Sequence, residues 1–225
     1  MSVPHLVRLF HITAIANLPT ICAVGALLAK NVVERSGQQY KNIAYQGAQG
    51  KRANKVLPNP PGGLIHDYVP FYFAPRSPML NAIHAGRVPD CPNGQNDLIH
   101  LETTVSAVVL SGTQFVFFDR NATLDYSESY TGIAHLNEIA WDLLTEAPCL
   151  DGFCKYFHSK PGTRHADRME RRMAEFLVKS QVPLNAFTRI GVIDENRRAE
   201  VDVILTAASV KLGANVMRDW YFLGQ

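Results

Sequence analysis

LIHDYVPFYFAPRSPML, residues 64–80, is the most informative stretch of this 225-residue chain. Its centre, Tyr68–Phe73, is aromatic and rich in residues that favour extended backbone, which predicts a strand. Pro70 has no N–H to donate to a ladder, so the strand is expected at a sheet edge or at a bulge. Pro75 and Pro78 restrict the backbone that follows and predict a rigid corner there.

Strands are predicted on both sides of this run, with helices scattered between them. Short apolar or alternating segments predict the strands His5–Ile12, Leu98–Leu101, Phe115–Phe118, Ala174–Val178, Phe187–Ile193 and Val216–Phe222. Helices are expected at Asn17–Gly25 with Asn17 as N-cap, at Leu136–Leu144, and from Glu195 with Val201, Ile204 and Ala208 on one stripe. Residues 31–63, rich in Gly and Pro, and residues 149–167 are expected to be long loops. Because no βαβ alternation is present, the pattern predicts a single α+β domain over residues 1–225.

The composition is that of a folded protein, with 47% hydrophobic and 19% charged residues, which excludes a largely disordered chain. The net charge of +2 conceals segregated blocks. Residues 30–55 hold six basic residues and one acidic residue (+5), and residues 155–172 hold six and two (+4). Residues 88–153 hold ten acidic residues and one basic residue (−9). Such blocks favour binding of a polyanion, although solvated surface without a partner explains them equally well.

Several classes of function are excluded or left without support. GxGxxG, GxxxxGK[ST], HExxH and GxSxG motifs are all absent, and no metal site is expected. There is no secretion signal and no apolar run long enough to span a membrane. The four cysteines, including Cys149 and Cys154, lack CxxC spacing, so reduced thiols in a cytoplasmic protein are expected.

Four blocks point to one family. They are His11-Ile12-Thr13 with Asn17-Leu18-Pro19, Gly50–Ala53 (GKRA), Leu64–Leu80, and Ala174–Val178 (AEFLV). In these blocks, which occur in family order over nearly the whole chain, the sequence resembles the DarT family of bacterial toxins, which transfer ADP-ribose from NAD to a base of single-stranded DNA. The loops 30–49 and 145–167, and the cysteines Cys149 and Cys154, match no family pattern. The resemblance implies an ADP-ribosyltransferase-like α+β fold with a split, mainly antiparallel β core and flanking helices.

The resemblance also implies two catalytic residues, Glu175 and Arg52. Cleavage of the nicotinamide–ribose bond passes through a cation-like ribosyl centre, which a carboxylate fixed on a strand can stabilise. Glu175 lies on a predicted strand, with Phe176 and Val178 on the opposite face, and could also act as the base for the acceptor nitrogen. Arg52, in a Gly-flanked basic loop, is suited to holding a pyrophosphate or the reacting groups. Taken without the resemblance, these residues fit an edge-strand glutamate and a surface arginine.

NAD is expected as the substrate, and the residues implied to bind it are His11, Ile12, Thr13, Asn17, Leu27, Arg52, Tyr72 and Met79. Asn17 also fits a helix cap, and the aromatic stripe that contains Tyr72 also fits ordinary core. The expected binding place lies between the His11 strand and the Arg52 loop.

Single-stranded DNA is the expected acceptor. The residues implied to bind it are His135, Arg164, Arg168, Arg171 and Arg172, with Tyr156 and Phe157 available for stacking. Thymine is the expected base, and guanine is the alternative within the family. A same-fold transferase acting on protein, RNA or an RNA 2′-phosphate, and a non-catalytic single-strand binder, stay open. The resemblance further implies a cognate macrodomain antitoxin (DarG-like) as partner.

Overall fold

A computed structural model describes residues 2–44, 46–145 and 166–223. Its main feature is an eight-stranded sheet in the order β10-β9-β4-β1-β3-β7-β5-β6, accompanied by a two-stranded sheet of β2 and β8. The strands are β1 (Arg8–Ala14), β2 (Ala26–Leu28), β3 (Tyr68–Tyr72), β4 (Leu98–Thr104), β5 (Phe115–Phe118), β6 (Ser129–Tyr130), β7 (Glu175–Lys179), β8 (Gln181–Pro183), β9 (Phe187–Val192) and β10 (Ala214–Val216). Neighbouring strands are antiparallel except β9 and β10, which confirms the predicted α+β class and mainly antiparallel core.

The sheet is split between β1 and β3. These two strands pair only at Phe10 and Tyr72, whereas β1 pairs with β4 along its whole length and β3 pairs with β7 from Tyr68 to Tyr72. The prediction that Pro70 places β3 at an edge is therefore wrong, because β3 is a central strand. Pro70 is tolerated because its missing N–H points into the gap, on the side where its carbonyl accepts a hydrogen bond from Nδ1 of His11 at 2.8 Å.

The helices are short except the last. They are α1 (Leu18–Val24), α2 (Lys30–Ser36), α3 (Gln46–Asn54), α4 (Pro78–His84), α5 (Val105–Leu110), α6 (Trp141–Thr145), α7 (Arg168–Arg171) and α8 (Glu195–Ala207). Among the described residues, no helix has the length and hydrophobicity needed to cross a membrane.

Two helix predictions need correction. Residues 31–63 contain α2 and α3 instead of one long loop, and neither helix has a buried residue that would produce an amphipathic pattern. The segment 136–144 is a 3-10 turn (Ile133–Glu138) followed by α6, with extended backbone at Ile139 between them. Leu136, Ile139, Trp141 and Leu144 are all buried in one cluster, so their spacing resembled a single helix. The apolar stripe predicted for α8 is confirmed at Val201, which is buried. Ala208 is instead the C-cap residue of the helix and is exposed.

The two faces of the sheet are covered differently. On one face, side chains such as Leu9, Phe71 and Phe176 form a single cluster with α1, α6 and α8. The opposite face carries separate clusters. One around Ile12 and one around Phe10 and Trp220 lie on the β1–β4 half, and one around Leu177 lies on the other half. The split between β1 and β3 therefore separates the cores of the two halves on this face.

The C-terminal run 216–222 is also not the strand that was predicted. After β10, Arg218–Trp220 form a 3-10 turn. Trp220 lies so close to Gly191 of β9 that a Cβ on Gly191 would be 2.3 Å from the indole ring. The Phe222 backbone exchanges two hydrogen bonds with the Gln95 amide, at 2.7 and 3.0 Å. The apolar character of this run thus reflects burial against the sheet and not strand pairing.

Candidate active site

The centre of the site is a buried ion pair between Glu175 and Arg52. Glu175 is the first residue of β7, has no exposed surface, and is flanked in register by Tyr72 of β3 and Phe118 of β5. Nη1 of Arg52 donates to Oε1 of Glu175 at 3.0 Å, and Nη2 lies 2.9 Å from Oε2. Only the contact at Oε1 is a hydrogen bond; Oε2 is paired by charge and accepts no hydrogen bond among the described residues. The two contacts together orient the carboxylate.

Arg52 lies in the last turn of α3 and not in a loop, which corrects the prediction from the glycine-flanked sequence. The helix is held by the Ile65–Asp67 turn that begins the aromatic run, where the Ile65 N–H donates to the Lys55 carbonyl at 3.2 Å. That turn and β3 thus set the distance between the arginine on α3 and the carboxylate on β7.

The ionisation states at this pair follow from burial and charge. Burial works to lower the pKa of Arg52, but the charge and hydrogen bond of Glu175 outweigh it, and the pKa is raised. Burial, followed by the charge of Glu175, raises the pKa of the Tyr72 phenol. The site therefore presents a permanent guanidinium beside the carboxylate and a neutral phenol at the neighbouring position.

His11 bridges the split in the sheet. In addition to its bond to the Pro70 carbonyl, its ring packs edge-on against Phe71 at 5.8 Å. Burial lowers the pKa of His11 to about 4, although the bond to Pro70 opposes the shift, so the ring is neutral at neutral pH. Because side chains alternate along β1, His11 and Thr13 point away from the face that carries Ile12 and Glu175.

Asn17 ties the end of β1 to the segment 38–44. Its amide accepts from the Lys41 N–H at 2.7 Å and donates to the Lys41 carbonyl and to Oγ1 of Thr13, both at 3.0 Å. Asn17 occupies the predicted N-cap position of α1, but its side chain makes no cap bond to the helix, because its hydrogen bonds are used in these tertiary contacts. Tyr40, in the same segment, lies beside the Thr13 side chain.

The other residues implied to bind NAD lie in two further places. Leu27 of β2 lines a groove together with Asn17 and Tyr40. Ile12 and Met79 belong to the cluster on the Glu175-bearing face of the β1–β4 half. The structure thus brings together Glu175, Arg52 and Tyr72 in one group, and Thr13, Asn17 and Leu27 around the segment 38–44 in another.

The residues implied to bind DNA differ in how far they are exposed. His135 is exposed and stacks on Tyr130, with 5.3 Å between ring centroids. Arg168 and Arg172 are only 2% and 4% exposed, and Arg172 donates to the Leu143 carbonyl. Arg171 is a third exposed and pairs with Asp167 at 2.7 Å. The predictions for Arg164, Tyr156, Phe157, Cys149 and Cys154 fall outside the described residues.

Three residues near the site were not singled out from the sequence. For Tyr40, the only signal in the sequence was its position in a polar loop. His66 lies inside the quoted aromatic run; its Nε2 has no hydrogen-bond partner among the described residues, and burial, followed by Lys30 and Arg52, lowers its pKa to about 4. Arg120 was visible as the single base of the acidic segment. Within the described part of the chain, no group of His, Cys, Asp or Glu could hold a metal ion.

A split antiparallel sheet with a buried strand glutamate held by an arginine beside the split is the ADP-ribosyltransferase-like arrangement that the sequence predicted. The family model described as ssDNA thymidine ADP-ribosyltransferase, DarT, matches residues 10–222. The chain belongs to the DarT family.

Relatives match the chain over almost its full length. A DNA ADP-ribosyl transferase from Thermus sp. strain 2.9 is 34% identical over 97% of this chain and 98% of its own. The structure of Thermus sp. 2.9 DarT in complex with ADP-ribosylated ssDNA has a TM-score of 0.84 and 32% identity, covering 99% of each chain. The same Thermus protein in complex with NAD+ has a TM-score of 0.82 and 31% identity, covering 98% of this chain and 100% of that one.

Proposed function

We propose that this protein transfers ADP-ribose from NAD to a thymine base of single-stranded DNA and releases nicotinamide. The observation that carries the proposal is the Glu175 carboxylate, which is fully buried and held at two points by Arg52 beside the split in the sheet. The family model names thymidine as the acceptor, and a relative of similar length has been seen with ADP-ribosylated ssDNA.

The chemistry follows from that carboxylate. The bond between nicotinamide and ribose C1′ breaks, and nicotinamide leaves with the bonding electrons as a neutral molecule. A nitrogen of the DNA base forms the new bond to C1′, and its proton passes to the Glu175 carboxylate. In the buried site the carboxylate stabilises the positive charge that develops on the ribose, and Arg52 holds it in one orientation without reorganisation during the reaction.

NAD is placed at the split, between β1 and the elements that carry Arg52 and Glu175. Tyr72 borders the carboxylate directly, and Ile12 and Met79 supply apolar surface on the same face across the gap. Thr13, Asn17, Leu27 and Tyr40 form the adjoining wall with the segment 38–44. His11, neutral and held by Pro70, keeps the two halves of the sheet in register at this point.

We propose that DNA runs along the outer side of the NAD site at the split. Its backbone meets basic residues of α3 and of the segment 166–172, where the Arg171 side chain is a third exposed. Phosphate contacts of this kind position a strand without reading its sequence. The exposed ring of His135, supported by Tyr130, offers a face on which an unpaired base can stack. Arg168 and Arg172, the further proposed DNA contacts, are buried and must turn outward to meet a phosphate. The proposed contact at Arg164 lies outside the described residues.

An acceptor panel tests the proposal. The protein is incubated with NAD and, separately, with thymine-only DNA, guanine-only DNA, RNA and a protein mixture, and each product is weighed by mass spectrometry. We expect one ADP-ribose on the thymine oligonucleotide and none on the other acceptors. Addition to guanine, RNA or protein would show that this acceptor, and not thymine, is the substrate. DNA binding without any addition would show that the protein is a single-strand binder and not a transferase.

Asn17→Asp is expected to weaken NAD binding without slowing the chemical step. The carboxylate cannot donate to Thr13 or to the Lys41 carbonyl, so the wall formed by residues 38–44 loses its anchor. A tenfold rise in the NAD dissociation constant corresponds to about 1.4 kcal/mol, a plausible value for these bonds. Calorimetry with NAD measures this change. Asn42→Asp is the matched control, because within the described part of the chain the Asn42 side chain only accepts, from the Ala44 N–H. An unchanged dissociation constant for Asn17→Asp would remove this wall from the NAD site.

The family resemblance carries two further proposals. A macrodomain antitoxin, which removes the modification from DNA, is the proposed partner of this protein. The proposed place of action is the cytoplasm, where DNA and NAD are both present.

A further inference from the structure

The segment 119–128 lies between the two basic elements of the chain. On one side Asp125 accepts from Nζ of Lys55, just beyond α3, at 2.7 Å. On the other side Tyr126 donates its hydroxyl proton to Glu170 of α7 at 2.9 Å. The segment is itself ordered by hydrogen bonds, since the Asp119 carboxylate accepts from the Glu128 N–H at 3.0 Å. It therefore spans from the helix that carries Arg52 to the stretch that leads into Glu175.

Arg120 makes the central contacts of this arrangement. Its Nε donates to Asp119 at 3.1 Å, Nη1 lies 3.5 Å from Glu170, and Nη2 lies 3.9 Å from Asp167. Its guanidinium also lies 5.6 Å from the ring centroid of Tyr126. Arg120 thus joins one carboxylate of its own segment to two carboxylates at the start of the 166–172 segment.

The contacts of Arg120 lie close in sequence to the catalytic site on both of the strands that meet there, β5 and β7. Phe118, two residues before Arg120, is the register partner of Glu175 on β5. Glu170 and Asp167 precede Glu175 by five and eight residues in the chain. Arg120 therefore fixes the direction from which the 166–172 segment enters β7 at Glu175.

The packing of the 119–128 segment against the 166–172 segment depends more on the charge of Arg120 than on the Lys55–Asp125 pair. Asp125 is almost fully exposed, so its pair with Lys55 contributes little. Arg120 is only 19% exposed and faces three carboxylates. Without its charge, Asp119 would repel Asp167 and Glu170, and the two segments would move apart.

We infer that Arg120 is a positioning residue for the transfer to DNA: it holds the 166–172 segment against the 119–128 segment and so sets where the DNA strand meets Glu175. This inference rests on the proposed function, because it assigns DNA to the side of the cleft formed by the 166–172 segment. It explains why a single basic residue, Arg120, lies within residues 88–153, whose net charge is −9.

Arg120→Gln tests the inference by steady-state kinetics with a thymine oligonucleotide, together with calorimetry for NAD. We expect the KM for DNA to rise at least roughly tenfold, since small displacements of a positioning segment have effects of this size or larger. The NAD dissociation constant stays within about twofold of wild type. Arg120→Lys gives an intermediate KM, because a single ammonium cannot reach three carboxylates at once.

A rescue variant separates positioning from general destabilisation. Arg120→Gln combined with Asp167→Asn and Glu170→Gln removes the repulsion while keeping the acceptors for Arg171 and Tyr126, and we expect it to recover most of the lost DNA affinity. Arg198→Gln, which breaks an exposed pair with Glu195, is the control with wild-type kinetics. Wild-type DNA kinetics in Arg120→Gln, an equal loss of NAD binding, or no recovery in the rescue variant would overturn the inference. If the wild-type protein itself transfers nothing to DNA, the proposed function fails; oligonucleotide binding by anisotropy then decides whether Arg120 positions the segment.

Discussion

Glu175→Gln should lower the rate of ADP-ribose transfer to DNA by about a thousandfold or more, because it removes both the stabilising charge and the base. The amide has almost the same shape and still accepts from Arg52, so the fold is expected to persist. Transfer is measured in single-turnover reactions with saturating NAD and oligonucleotide, so that a change in binding does not mimic a change in chemistry.

Glu102→Gln is the matched control for this prediction. Glu102 is also a buried strand glutamate, and it also pairs with two arginines, Arg8 and Arg189, but it lies on β4 in the other half of the sheet. Its substitution is expected to cost stability and to change the transfer rate only a few-fold. If Glu175→Gln retained wild-type turnover, or if both variants lost activity equally, Glu175 could not be the catalytic carboxylate.

Arg52→Ala should destabilise the fold as well as abolish efficient transfer. It leaves the Glu175 carboxylate, which has no exposed surface, without its counter-charge, and breaking a buried pair in this way costs about 3–5 kcal/mol. The carboxylate also loses the orientation that the two-point contact imposes, so the transfer rate falls even at temperatures where the variant is folded. Denaturant unfolding and single-turnover kinetics measure the two effects separately.

The double variant Arg52→Ala/Glu175→Gln distinguishes a coupled pair from two independent losses. Because the amide removes the unpaired charge, the double variant is expected to unfold at higher denaturant concentration than Arg52→Ala alone. Additive losses would show that the two side chains are not coupled, in conflict with the observed contact. Arg198→Ala, at an exposed pair, serves as the reference and should change the unfolding free energy by less than about 1 kcal/mol.

The strands of four or more residues could be predicted from the sequence because their patterns are local, whereas the two- and three-residue strands could not. β1, β5, β7 and β9 lie where short apolar or alternating runs predicted them, with ends displaced by up to a few residues. α2 and α3 could not be predicted in this way, since they bury no residue and contain glycine, and their positions depend on the Ile65–Asp67 turn. The run 216–222 was misinterpreted because an apolar segment packed flat on a sheet and a strand have the same composition.

The site shows the same division between local and long-range information. Residue patterns alone left Glu175 as a possible edge residue and Arg52 as a surface residue, and only the family resemblance singled them out. The contact that joins them spans 123 positions and depends on the order of β3, β7 and β5, which no periodicity encodes. Asn17 illustrates the reverse case: its position before a helix predicted a cap, whereas Lys41 and Thr13 take all of its observed hydrogen bonds.

The charge blocks have a structural explanation that whole-chain charge conceals. Members of the acidic block, Asp125 and Asp119, lie beside Lys55 and Arg120, and Arg120 in turn reaches Asp167 and Glu170. The acidic block thus neutralises and orders the stretches that adjoin the catalytic pair.

The most direct test of the account is a single reaction containing the wild-type protein, NAD and an oligonucleotide with one thymine. Mass spectrometry of the DNA and chromatography of free nicotinamide are carried out on the same sample. We expect one ADP-ribose on the thymine base, in an amount equal to the nicotinamide released, and neither product with Glu175→Gln. Nicotinamide release without modified DNA, or modification that persists in Glu175→Gln, would contradict it.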